Sequence, residues 1–114
     1  MLKTSKRIRK IKPWGKEEWA EVNDKYVIKF LFVKRGHRLS KQYHEKKLET
    51  MILISGNAIL EIGVCWQTMK PCNLYTIRPK MVHRIIALSN AMILEVSTPE
   101  LSDVHRLEDC YGRK

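Results

Sequence analysis

From residue 17 to residue 97 the apolar side chains recur in short runs with a period of two, and no stretch of comparable length repeats at the 3.6 residues of a helix. A chain patterned this way has to find its backbone hydrogen bonds between strands, so an all-β fold is expected. The runs cover residues 17–22, 25–34, 39–44, 50–55, 58–63, 74–78, 82–88 and 91–97. Turn signals separate them at Asn23-Asp24, Gly36, Glu45-Lys46-Lys47, Gly56-Asn57, Pro79 and Ser89-Asn90. In the run 25–34, Tyr26, Ile28, Phe30 and Phe32 fall on one face and Val27, Leu31 and Val33 on the other, which predicts a central strand. Residues 64–73 are less regular and predict an excursion at one end of the fold. Beyond Pro99, residues 100–109 predict a short helix started by Thr98 or Ser102, with Leu101, Val104 and Leu107 or His105 on one side. Seven or eight strands in about 100 residues suit a closed or double-sheet barrel that hides its edges.

At 114 residues the chain holds one domain and one core: a basic arm over 1–12, a barrel over 13–97 and a tail over 98–114. No apolar run approaches the ~20 residues that cross a bilayer. The basic start runs into Pro13-Trp14-Gly15 where a signal peptide needs its apolar stretch, so the cytoplasm is the expected location. Cys65, Cys72 and Cys110 are odd in number and lack the close pairing of zinc or disulfide frameworks, which predicts free thiols. The net charge of +10 is concentrated at the start. Lys3, Lys6, Arg7, Arg9, Lys10, Lys12 and Lys16 all precede the first acid, Glu17, leaving 15 basic residues against 12 acidic ones. With no recognition motif beside that charge, no specific nucleic-acid partner is expected.

One constellation carries chemistry. Gln42 and His44 stand two apart on an extended run and share a face of the sheet, and Glu49 follows across the charged turn. A barrel can bring His83, just past the Pro79 turn, to the same place from the opposite wall. Two imidazoles, a carboxylate and an amide oxygen suit one divalent metal ion: zinc first, with iron, manganese or nickel as alternatives. Such a site keeps coordination positions for water or substrate.

These residues, with Lys12-Pro13-Trp14-Gly15 and the stretch 25–29, closely resemble the cupin superfamily, and within it the sugar-phosphate branch of type II mannose-6-phosphate isomerases, some of them fused behind mannose-1-phosphate guanylyltransferases. Gly36, Gln42, His44, Glu49 and Gly56 match the first cupin motif, and Pro79 and His83-Arg84 the second. The resemblance covers about residues 12–97. It implies a double-stranded β-helix, or jelly-roll, barrel with Gln42, His44, Glu49 and His83 as metal ligands. The sequence departs from the branch at Lys47, where an Arg is usual, at Thr50-Met51, where His-Trp is usual, and at the missing Gly before and Asn after His83.

The resemblance further implies a metal that polarises a sugar carbonyl during aldose–ketose isomerisation. Lys29, Lys41, Lys47, Arg84 and Arg106 are then the candidate contacts for the sugar's phosphate, although strand alternation turns Arg84 away from the His83 face. Two other functions share the ligand set: a non-catalytic module recognising a sugar phosphate or nucleotide sugar, and an Fe(II)-dependent dioxygenase. A homodimer is expected, with Trp19 and the two-faced strand 25–34 as its candidate interface.

Overall fold

The computed structural model describes Leu2, Thr4 and residues 6–114; Lys3 of the basic arm lies outside them. Eleven strands form among these residues: β1 Ile8–Lys12, β2 Gly15–Val22, β3 Val27–Val33, β4 Lys41–Tyr43, β5 Glu49–Ser55, β6 Ala58–Ile62, β7 Cys65–Thr68, β8 Leu74–Ile77, β9 His83–Ala87, β10 Ala91–Ser97 and β11 His105–Glu108. They build a six-stranded antiparallel sheet in the order β1-β2-β3-β10-β5-β8 and a five-stranded one in the order β11-β4-β9-β6-β7. From β3 to β6, and again from β7 to β11, the chain alternates between the two sheets at every step, which is the winding of a double-stranded β-helix. Among the described residues no helix is long and apolar enough to span a membrane.

The barrel's inner lining changes character along its axis. On β10 the inward positions read Ala91, Ile93, Glu95, Ser97; on β3, Val33, Leu31, Lys29, Val27; on β5, Leu53, Met51, Glu49; on β9, Ala87, Ile85, His83. Register aligns these gradients, since Ile93 stands between Leu31 and Leu53 while Glu95 stands opposite Lys29 and Ser97 opposite Glu49. One half of the interior is therefore a dry core closed by Trp14, Leu60, Met69 and Ile77, and burial there supplies most of the folding free energy. The other half is polar. Gly56 lets β5 return into β6: its φ is +81°, and a Cβ there would collide with the Asn90 carbonyl.

β3 lies between β2 and β10, as its two apolar faces predict. Three elements differ from expectation. Residues 8–12 of the basic arm form β1, paired to β2 with Arg9 opposite Glu18 and Lys10 opposite Glu17, pairings of opposite charge that stabilise an exposed ladder. Arg7 also reaches Glu18 at 2.9 Å and lies over the Phe30 ring. Within 64–73, β7 pairs with β6 although its four side chains are exposed; backbone pairing alone carries it.

The helical tail is wrong. Residues 105–108 form β11, which pairs with β4, His105 opposite Tyr43 and Arg106 opposite Gln42. β4 has β9 on one side only, and an open edge leaves its amides and carbonyls without protein partners. The tail satisfies them, and the Tyr43 and His105 rings stack with centroids 4.9 Å apart. That long-range pairing outweighs the weak helical spacing of Leu101, Val104 and Leu107. Cys65, Cys72 and Cys110 are free and exposed.

Candidate metal centre

His44, Glu49 and His83 meet inside the polar half of the barrel. One ligand atom from each lies within 4.8 Å of the others, and all three residues are buried. Glu49 opens β5 facing inward, His83 opens β9 facing inward, and His44 follows directly on β4. The two histidine Nε2 atoms approach Glu49 Oε1 to 3.4 and 3.0 Å, yet neither has an aligned hydrogen-bond partner, nor does Glu49 Oε2. Orphaned buried nitrogens are costly unless something else binds them.

The opposite edge of each ring explains the arrangement. His44 Nδ1 bonds to the Asp103 carbonyl at 2.6 Å and His83 Nδ1 to the Met81 carbonyl at 2.9 Å. A carbonyl only accepts, so each Nδ1 carries the hydrogen and each Nε2 presents its lone pair toward Glu49. Pinning the far nitrogen to a backbone carbonyl is how metal-ligating histidines are oriented. With ligand distances near 2.0–2.2 Å, a metal's neighbours stand about 3–4 Å apart, so this donor set fits a divalent cation. Gln42 pairs with His83 across β4 and β9, and its Oε1 accepts from Ser40 at 2.9 Å.

The electrostatics agree. Burial by itself would raise the Glu49 carboxyl, but the Lys47 ammonium, together with His44 and His83 where their Nε2 atoms carry hydrogen and donate to the carboxylate, outweighs it and holds the group well below the usual carboxylate range. Burial would lower Lys47, but Glu95 and Glu49 outweigh it and keep the amine charged; its Nζ lies 3.3 Å from Glu49 and 3.9 Å from Glu95. Burial, followed by the Glu49 charge, pushes Glu95 up to about 8.

A cavity of about 150 Å³ is lined in part by Gln42, Ser40, Lys47, Glu95, Lys29 and Glu17; His44, Glu49 and His83 are not among its lining residues, and Lys47, 3.3 Å from Glu49, links the two. Of the five candidate phosphate contacts, Lys29, Lys47 and Arg106 line it. Lys29 is paired to Glu17 at 3.6 Å. Lys41 and Arg84 are not among its lining residues. Arg84 is buried on the face away from His83 and donates to the Leu39 and Glu108 carbonyls, which ties β9 to the tail. Trp19 also lines the cavity, with its indole donating to Glu17.

Sequence reasoning missed Glu95, Glu17, Asp103 and Arg113, the last of which lines the cavity with its guanidinium paired to Asp109. Glu95 had a signal, a lone acid on the apolar face of strand 91–97. Asp103 had none: its carboxylate accepts from the amides of Glu45, Lys46 and Lys47 while its carbonyl orients His44, which only the folded tail reveals.

Comparison with known proteins places this geometry. The family described as mannose-6-phosphate isomerase C-terminal matches residues 3–109. The mannose-1-phosphate guanylyltransferase of Escherichia coli K12 is 35% identical over 107 residues, covering 90% of this chain and 22% of that protein; the chain spans only about a fifth to a quarter of the curated relatives it matches. Among solved structures, Streptomyces PAC13, determined with uridine, superposes with a TM-score of 0.80 at 14% identity over 95% of this chain and 91% of its own. An RmlC-like cupin from Shewanella frigidimarina superposes with a TM-score of 0.69 at 9% identity, over 77% and 78%. Two antiparallel sheets wound alternately, a His-Glu-His cluster in their polar half and a family match over nearly the whole chain make this protein a member of the mannose-6-phosphate isomerase C-terminal family, with the cupin fold.

Proposed function

We propose that the chain binds one divalent metal ion, zinc in the first instance, through His44, Glu49 and His83 with Gln42 beside them, and acts on a phosphorylated sugar by metal-assisted aldose–ketose isomerisation. The observation that carries this reading is the pair of unpartnered Nε2 atoms aimed at a buried carboxylate. The metal, when bound, supplies a Lewis acid for the sugar's carbonyl and neighbouring hydroxyl. Lys29, Lys47 and Arg106, with Lys12 and Arg113, give the cavity its cations for an anionic substrate. Glu95, whose carboxyl burial and the Glu49 charge push up to about 8, lines the same cavity and is the group placed to exchange a proton with the sugar. A space of about 150 Å³ is below the ~300–1,000 Å³ of ordinary ligand pockets, which favours a single sugar phosphate over a whole nucleotide sugar.

The departures from the isomerase pattern leave that cavity intact. Thr50 faces outward and bonds to Thr76, and Met51 packs in the core, so neither position looks onto the cavity. Lys47 keeps a cation where the branch has Arg. Metal analysis of the purified protein, followed by a mannose-6-phosphate to fructose-6-phosphate assay on the zinc-loaded sample, tests the proposal. About one equivalent of metal and turnover lost in Glu95→Gln support it. Metal without turnover, but with saturable binding of mannose 6-phosphate, would instead make the domain a binding module. Two imidazoles and one carboxylate also form the ligand set of non-haem Fe(II) oxygenases, a reading that iron retention and oxygen consumption would favour.

A further inference from the structure

One acid of the cavity wall takes no part in holding the metal or moving a proton. Glu17 is only 8% exposed and lines the cavity, facing inward opposite Leu31. Trp19, two residues on along β2, shares its face, and Lys29 stands opposite Trp19 on β3. The contacts to the Glu17 carboxylate all converge on one oxygen. Oε1 accepts from the Trp19 indole at 2.8 Å and lies 3.6 Å from Lys29 Nζ. Among the described residues nothing donates to Oε2. The indole is itself held between two ammonium groups, with Lys10 Nζ 4.9 Å and Lys29 Nζ 5.0 Å from its ring centroid. The carboxylate is therefore fixed by one oxygen and presents the other, a strong acceptor, to the cavity. A buried acceptor of that kind is seldom left unused.

What Oε2 can take is narrow. The negative charge of Glu17 repels a phosphate, and a cation gains little beside Lys29, which already neutralises the carboxylate. An uncharged O–H donor fits both conditions. In the sheet β3 and β10 separate β2 from β5, so Glu17 stands away from Glu49 and the metal ligands. We infer that Glu17 is a specificity-determining residue, whose Oε2 accepts a hydrogen bond from a sugar hydroxyl that neither meets the metal nor carries the phosphate. Trp19 and Lys29 are positioning residues that act through Oε1. The inference rests on the sugar-phosphate reading of the cavity and deepens it. A site built to accept from a hydroxyl rejects the analogue that lacks it, because the acceptor is then left buried and unpaired. In mannose 6-phosphate the reaction engages C1 and C2 and the phosphate occupies C6, which leaves the hydroxyls at C3 and C4 for Glu17.

Calorimetric titration of the zinc-loaded full chain with mannose 6-phosphate and with its 3-deoxy and 4-deoxy analogues tests it. The wild type is expected to bind one of the two analogues roughly 10–100-fold more weakly than mannose 6-phosphate, the range for losing a hydrogen bond to a charged group. Glu17→Gln, which replaces the charged acceptor with an amide, is expected to bind mannose 6-phosphate more weakly and to discriminate less against that analogue. Trp19→Phe keeps the charge pair with Lys29 but removes the donor that orients the carboxylate, and a smaller loss in the same direction is expected. Zinc content reports the intact interior of each variant; should Glu17→Gln fail to fold, the wild-type analogue series and Trp19→Phe decide the matter. Equal affinity of the wild type for all three sugars, or undiminished discrimination in both variants, overturns the inference and leaves the isomerase reading standing. A zinc-loaded wild type that binds no mannose 6-phosphate overturns both.

Discussion

At the scale of single residues, the site is decided by which atom of each side chain is left free. His44 and His83 spend Nδ1 on backbone carbonyls and hold Nε2 in reserve. His44→Ala and His83→Ala are each expected to lose metal by more than the ~10–100-fold that an outer-shell partner costs, and Gln42→Ala to lose about that much; titration calorimetry with zinc reads the three. Asp103 carries the pH dependence. Its three backbone donors, those of Glu45 and Lys46 foremost, hold its carboxyl below the usual range, so the folded state binds a proton there less readily than the unfolded chain. That contribution to stability is complete above the unfolded pKa of about 3.9 and is lost as pH falls through the acid range. Urea midpoints of Asp103→Asn should accordingly lie below wild type at pH 7, and the gap should close as the pH is lowered toward 3.

At the scale of elements, the tail is part of the barrel wall. β11 completes the edge of β4, Glu108 receives Arg84, and Tyr111 bonds to His37 at 2.7 Å. Deleting residues 105–114 keeps the Asp103 carbonyl but leaves Arg84 buried against lost partners, and a buried charged group without its partners costs several kcal/mol. A melting temperature lower by about 10 °C or more is expected from differential scanning calorimetry. The tail was read as a helix because Leu101, Val104 and Leu107 carry its spacing; in the strand Leu107 is more than half exposed, and pairing with β4 decides the matter. β1 and β7 escaped for the same reason. Their side chains are mostly exposed, so they carry no apolar alternation to read.

At the scale of the molecule, the barrel separates two jobs along its axis. Leu53 and Ile93 sit in the dry half, and Leu53→Ala is expected to cost about 2–5 kcal/mol in urea unfolding, while its metal affinity under folding conditions should stay near wild type. The polar half gathers Glu17, Lys29, Glu95, Lys47 and Glu49, with each charge beside one of opposite sign. Removing either member of such a pair strands the other as a buried, uncompensated charge, which costs about 3–5 kcal/mol.

Period-two alternation and turn residues were enough to determine an all-β barrel, its central strand and most strand boundaries, because those depend on local sterics and on which face is apolar. The spacing of Gln42, His44 and Glu49 likewise pointed to a metal, since side chains two apart on a strand must share a face. What the tertiary structure alone decided is everything that depends on distant pairing. The wound sheets bring His83 to Glu49, lay β11 along β4, and place Asp103 and Glu95 beside ligands far from them in sequence. No local pattern encodes those meetings, because each is set by register across strands that the chain joins only after several turns of the barrel.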